Sequence, residues 1–147
     1  VIRHATEKDL PALAALGEVM HTESRFRSIS FVPEKLEATL RAVMSGAGCV
    51  LVAERDGKLI GGFAGIAMEY FFSTEKMAAD LALFIEPGRR GGIVAAALVR
   101  AFEDWARDAG AKGLELGVST GVHPEKTGAL YERLGFARQG ALFVKEL

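Results

Sequence analysis

Leu81-Ala-Leu-Phe-Ile-Glu-Pro-Gly-Arg-Arg-Gly-Gly-Ile-Val-Ala95 is the stretch that decides the architecture. An apolar run ends at Glu86-Pro87-Gly88, where proline withdraws a ladder N–H and closes a strand. Two arginines and two glycines follow, and a helical pattern starts at once at Ile93. A strand, a tight turn and a helix in that order form an anion cradle. The first N–H groups of the helix lack partners inside it, and the positive end of its dipole points to the same spot. Gly88, Gly91 and Gly92 let a phosphate come near the backbone, while Arg89 and Arg90 add charge that does not titrate at working pH. The plainer alternative is a connector with solvated arginines. Neither a Gly-x-x-x-x-Gly-Lys-Ser/Thr P-loop nor a Gly-x-Gly-x-x-Gly dinucleotide fingerprint occurs in the chain.

The elements around this stretch follow from periodicity. Asp80 to Ile85 predicts a short strand before the turn, and Ile93 to about Ala109 a long helix after it. Ala97, Leu98, Ala101, Phe102 and Trp105 share one face of that helix and Gly110 stops it. Upstream, Val50–Glu54 and Leu59 to about Tyr70 flank Arg55-Asp-Gly-Lys58, a β-hairpin because Asp-Gly supplies the positive φ of a tight turn. Gly61, Gly62 and Gly65 in its second strand point to a bulge or a close backbone approach. Two helices precede the hairpin. One is opened by the capping-box spacing Thr6-Glu-Lys-Asp9 and runs to about Met20; the other is opened by Pro33 and ended by Gly46 or Gly48. His21–Val32 between them predicts a loop. Downstream come a strand over Leu114–Ser119, a helix over Thr127–Leu134 ended by Gly135, and a last hairpin over Phe136–Leu147 turning at Gln139-Gly140. No repeat or linker interrupts this order, so residues 1–147 are expected to form one α/β domain.

Composition narrows the function. At 147 residues, half of them hydrophobic, the chain can bury a core without a staple. Eighteen Lys and Arg face nineteen Asp and Glu, a net charge of −1, which speaks against a partner bound through its phosphate backbone such as nucleic acid. One cysteine, Cys49, rules out an internal disulfide and a four-thiolate metal site, and three scattered histidines offer no metal spacing. Every apolar stretch falls short of the roughly 18 residues of a membrane span, and Val-Ile-Arg-His-Ala lacks a signal-peptide core. A cytoplasmic location without membrane attachment is the expectation. The chain has no asparagine at all.

Two segments together resemble the GNAT superfamily of acetyl-CoA-dependent N-acetyltransferases. Ile85-Glu-Pro87 followed by Arg89-x-x-Gly92-x-Val94 is similar to that family's CoA signature, Arg/Gln-x-x-Gly-x-Gly/Ala, with valine at the last position. Ala129-Leu-Tyr131-Glu-Arg-Leu-Gly135-Phe136 is similar to its later Ala-x-x-Tyr-x-x-x-Gly-Phe-like segment. The order of elements agrees over essentially the whole chain. The resemblance implies a mixed, mostly antiparallel central sheet with helices on both faces, and acetyl transfer to a primary amine by direct attack in a ternary complex. It implies acetyl-CoA as cosubstrate, no metal, and a homodimer as an available assembly. A CoA-binding module without turnover, or an acyltransferase using a longer acyl-CoA, would share these motifs.

The same resemblance implies roles for residues. Pantetheine would pair with the backbone of Leu83, Phe84 and Ile85, and the pyrophosphate would meet Arg89, Arg90, Gly91, Gly92, Ile93, Val94 and Ala95. Where many relatives use an asparagine, Ser119–Lys126 would have to meet the cofactor by other contacts. Tyr131 is implied as the acid that protonates the leaving thiolate; its alternative is a core tyrosine with its hydroxyl at the rim. Glu115 is implied as the base, against a surface glutamate in an ion pair. Glu69, Asp80 and His123 are further candidates for the base. Acceptor walls are expected from Met20, Phe26, Phe31, Tyr70, Phe71 and Phe72, with Glu23 or Glu69 attracting a cationic amine.

Overall fold

The computed structural model describes residues 1–89, 92–118 and 120–147. Its sheet has five strands in the spatial order β1-β2-β3-β4-β5: β1 Ile2–His4, β2 Gly48–Arg55, β3 Lys58–Glu69, β4 Lys76–Ile85 and β5 Ala111–Glu115. The first four pair antiparallel and β5 joins β4 in parallel, the mixed and mostly antiparallel sheet that was expected. Helices α1 (Leu10–Glu23) and α2 (Pro33–Ser45) cover one face, where Leu10, Leu13 and Leu40 meet Val50, Val52, Ala64 and Phe84. Helix α3 (Ile93–Asp108) and α4 (Pro124–Arg133) cover the other, where Leu98, Phe102, Leu130 and Tyr131 meet Leu51, Phe63 and Ala78. Alternation along β2 and β3 divides the two cores, since successive side chains point to opposite faces. No helix among the described residues is long and apolar enough to cross a membrane.

The hairpin forms as its turn residues require, with Asp56 at φ 53° and Gly57 at φ 75° between β2 and β3. Elsewhere the structure corrects the sequence boundaries. Strand β1 was not foreseen, because three residues carry too little pattern; it pairs Ile2–His4 with Leu51–Ala53. Strand β4 starts at Lys76 rather than Asp80, since the small residues Ala78 and Ala79 belong to the ladder. The last strand is Ala111–Glu115 rather than Leu114–Ser119. Gly110, at φ 84°, turns the chain straight out of α3 into pairing with Lys76, and the ladder is over by Glu115. Ser119 lies outside the described residues. Helix α4 begins at Pro124, three residues early, because proline suits a first turn. The expected terminal hairpin is absent: residues 136–147 contain no strand, and 137–147 are exposed throughout.

Candidate functional site

The site is built by a divergence in the sheet. β4 and β5 pair from Lys76↔Ala111 to Ala79↔Glu115, after which β4 continues to Ile85 without β5 beside it. A bulge marks the same place on the other side: Gly65 pairs with Asp80 and Ala64 with Ala82, which leaves Leu81 unmatched. The strands therefore part at Asp80, opening a wedge along the outer edge of β4. Phe84 turns into the α1–α2 core and Ile85 into the α3 core, so what Leu83, Phe84 and Ile85 offer the wedge is backbone.

Asp80 stands where the wedge begins. Its carboxylate accepts the Gly117 N–H, at 3.1 Å to Oδ1 and 3.3 Å to Oδ2, in place of a ladder bond. Burial pushes its pKa up, and the hydrogen bonds from Gly117 and from its own backbone N–H only partly offset that. Tyr131 comes in from α4. It is 6% exposed, and its pKa is pushed up to about 12, first by burial and then by the charge of Asp80. The phenol is therefore protonated at any working pH, beside a carboxylate that holds its proton more readily than usual. Gly135, at φ 97°, ends α4 and lets the Phe136 N–H reach the Tyr131 carbonyl at 3.0 Å, with the two rings 5.9 Å apart. Phe136 thus holds Tyr131 by both its backbone and its ring. Glu115 pairs across to Ala79, next to Asp80, with its side chain exposed. Glu69 and His123 are exposed too, His123 as the N-cap of α4 at φ 44°.

At the far end of β4, Pro87–Arg89 form a 3-10 turn that leads to α3. Arg89 is ion-paired with Glu86 at 3.6 Å, and Glu86 also binds Lys58 at 2.6 Å; these cations hold its carboxyl below the usual range. Arg90 and Gly91, both expected at the pyrophosphate, lie outside the described residues. Gly92 is the N-cap of α3 at φ 94°, a conformation that favours glycine, and Ile93 beyond it is 83% exposed. Valine at the final signature position has a structural counterpart. Val94 points inward, toward a spot where a Cβ on Gly61 would lie 3.1 Å from Val94 Cγ1, and Ala95 is buried in the same core. The glycine on β3 makes room for the valine on α3.

The acceptor walls divide. Phe31 lies near His21, with ring centroids 5.3 Å apart, and near the α1 surface at Gly17 that Phe84 also approaches. Tyr70, by contrast, packs over Gly113, with Phe72 5.5 Å from it and Phe71 fully exposed. The register places these groups at opposite ends of β4, about 25 Å apart at ~3.3 Å per residue. Only the first group borders the wedge's open end. There the Arg25 N–H donates to the Thr120 carbonyl at 2.8 Å, tying the loop between α1 and α2 to the connection between β5 and α4. Sequence reasoning ranked Asp80 below Glu115. The signal that could have raised it was a carboxylate at the head of the apolar run Leu81–Ile85. Among the described residues no three His, Cys, Asp or Glu side chains gather as a metal site.

Residues 16–136 match the family model described as Acetyltransferase (GNAT) family. A curated relative, the IAA acetyltransferase of Azospirillum brasilense, is 37% identical over 91 residues, which are 61% of this chain and 55% of the relative. The chain thus spans about half the length of that relative. Two solved structures share the fold over the full chain: a transcriptional regulator from Bacillus halodurans C-125, with TM-score 0.81, 18% identity and 99% of that chain covered, and a ribosomal-protein-alanine N-acetyltransferase from Brucella melitensis biovar Abortus 2308, with TM-score 0.74, 20% identity and 98% covered.

Proposed function

Because this chain belongs to the GNAT acetyltransferase family, we propose that it transfers an acetyl group from acetyl-CoA to a primary amine by direct attack in a ternary complex. The observation that carries this reading is the buried Tyr131 of α4 together with Asp80, which takes the Gly117 N–H at the point where β4 leaves β5. Acetyl-CoA supplies an activated thioester carbonyl and a thiolate leaving group. The edge of β4 that β5 leaves after Ala79 suits the pantetheine arm as an added strand, and the first turn of α3, with Gly92 as its N-cap and Ile93, Val94 and Ala95 after it, suits the pyrophosphate together with Arg89 and, by the family signature, Arg90 and Gly91.

Asp80 takes the proton that the amine sheds as the C–N bond forms. A carboxylate whose pKa is raised by burial is a better base than a free one. Tyr131 gives its phenolic proton to the thiolate as the C–S bond breaks and regains one from solvent. Glu115, at the exposed end of β5, is the alternative base. The pH dependence separates the two: loss of the acid limb of kcat/KM in Asp80→Asn, with the limb kept in Glu115→Gln, supports Asp80, and the reverse assigns the base to Glu115.

The decisive experiment measures CoA release from acetyl-CoA across a panel of polyamines, aminoglycosides, amino acids and peptide amino termini. With an accepted amine, Tyr131→Phe is expected to lower kcat by about 10²–10⁴ while acetyl-CoA affinity holds. Tight acetyl-CoA binding with no amine-dependent release, and no effect of Tyr131→Phe, would instead identify a binding module. Efficient use of a longer acyl-CoA in preference to acetyl-CoA would correct the donor.

A further inference from the structure

His21 stands in the last turn of α1, at the open end of the wedge, and its Nε2 is buried with no hydrogen-bond partner among the described residues. The backbone around it is fixed: the His21 carbonyl accepts the Ser24 N–H at 3.2 Å and the Ser24 hydroxyl at 2.9 Å. The ring lies against Phe31, with centroids 5.3 Å apart. It follows Gly17 by one helical turn, and a Cβ on Gly17 would lie 3.4 Å from Phe84 Cε1 and 3.8 Å from Phe31 Cζ. Buried polar atoms are nearly always paired, so an unpaired one calls for a reason. We propose that His21 reads the acceptor. Its Nε2–H donates to an oxygen next to the reacting amine, so the acceptor is an amino-acid derivative or a peptide amino terminus. This inference rests on the acetyl-transfer reading above.

The surroundings select that chemistry. In the imidazolium and in one of the two neutral tautomers, Nε2 carries a proton and donates, which suits a carbonyl or carboxylate oxygen. A polyamine or an aminoglycoside would instead need several carboxylates around its charges. Residues 21–32 and 120–126 contain two, Glu23 and Glu125, and Arg25, Arg27 and Lys126 stand within a few positions of them. Phe26 and Phe31 are half-buried and Ile29 is 61% exposed, apolar surface that fits a side chain better than a polycation. A strap closes the site in the free chain. The Arg25 N–H donates to the Thr120 carbonyl at 2.8 Å, and Gly121, at φ 78°, lies so close that its Cβ would be 3.7 Å from Arg25 Cβ. A contact between two loops opens at low cost, so an acceptor can part it and supply the oxygen that Nε2 lacks.

The test uses paired amines that differ by one carboxamide: alaninamide and ethylamine, phenylalaninamide and phenethylamine, lysinamide and cadaverine. CoA release is measured for the parent, for His21→Gln, whose amide can set a nitrogen where Nε2 stood, and for His21→Phe, which keeps a ring against Phe31 without a nitrogen. In the parent, the carboxamide of an accepted pair is expected to exceed its bare amine in kcat/KM by about tenfold or more. His21→Phe should erase that preference by raising the acceptor KM, with the acetyl-CoA KM unchanged, and His21→Gln should restore it. A preference that survives in His21→Phe, or a parent that favours the bare amines, would overturn the proposal and leave acetyl transfer standing. No release with any amine would fail the transfer reading instead, and acceptor binding then decides on its own. The chain has three histidines, so the imidazole signal missing from His21→Phe identifies His21 in proton–nitrogen NMR. With CoA present, that signal is expected to shift with the carboxamides and not with the bare amines; an unmoved signal would overturn the proposal.

Discussion

Gly65 is where the fold should be most sensitive to a single methyl group. It sits in β3 between Cys49 of β2 and Asp80 of β4. A Cβ built there falls onto Cε1 and Cζ of Phe102, closer than real side chains approach, and lies 2.9 Å from the Ala79 carbonyl oxygen. Phe102 cannot yield easily. It is fully buried, 4.5 Å from the Phe63 ring, and stacked on Trp105 at 5.5 Å with 17° between the planes. Overpacking a filled core costs about 1–3 kcal/mol, a sizeable share of the roughly 5–15 kcal/mol that hold a domain together. At about 2–4 °C per kcal/mol for a chain of this size, Gly65→Ala should lower Tm by roughly 2–12 °C. Calorimetry and urea unfolding of Gly65→Ala, Phe102→Leu and the double variant provide the check. If the clash is with the ring, shortening residue 102 relieves it, and the double variant should be more stable than the two single losses predict by about 1 kcal/mol or more. A Gly65→Ala protein within about 0.5 kcal/mol of the parent, or strict additivity, would refute the close packing of α3 on this strand.

Two further outcomes bear on the rest of the fold. Arg3 grips Asp9 at 2.8 and 3.0 Å, and the Thr6 N–H adds a bond at 2.7 Å, so the Asp9 carboxyl is lowered from 3.8 to about 2, chiefly by Arg3. A depressed carboxylate stabilises the fold above its ordinary pKa and loses that contribution as pH falls through the folded value. Asp9→Asn should therefore cost roughly 1–2 kcal/mol at pH 7, screening by solvent included, and the gap between variant and parent in urea should shrink between about pH 4 and pH 2. A gap that is constant with pH would remove the ion pair from the explanation. Cys49 is 3% exposed and its thiol is pushed up to about 12 by burial. An aromatic disulfide reagent at pH 8 should find no reactive thiol in the folded protein and one after unfolding; rapid reaction of the folded protein would contradict the packing of β2.

Much of the fold was legible along the chain because its causes are local. The Asp56-Gly57 turn, Pro33 at the head of α2, and Gly110 and Gly135 after α3 and α4 act within a few residues of themselves, through φ preferences and missing N–H groups. The family motifs were legible for the same reason. Their glycines, arginines and tyrosine occupy fixed offsets around one turn and one helix.

What the chain could not disclose depends on residues far apart in sequence. Strand β1 exists because β2 has an edge to offer Ile2–His4, and β5 starts at Ala111 because Lys76 lies alongside. Asp80 gains its environment only where β4 parts from β5, with Gly117 of the connection after β5 bonded to it and Tyr131 of α4 close enough to feel its charge. Its raised pKa is a product of that burial, and no spacing rule encodes it. The sequence by itself determined the types of the elements from α1 to α4, though neither β1 nor the course of residues 136–147, and marked Tyr131 as a candidate acid. Tertiary structure alone decided where β4 parts from β5 and which carboxylate is buried there, because pairing and desolvation are properties of neighbours in space.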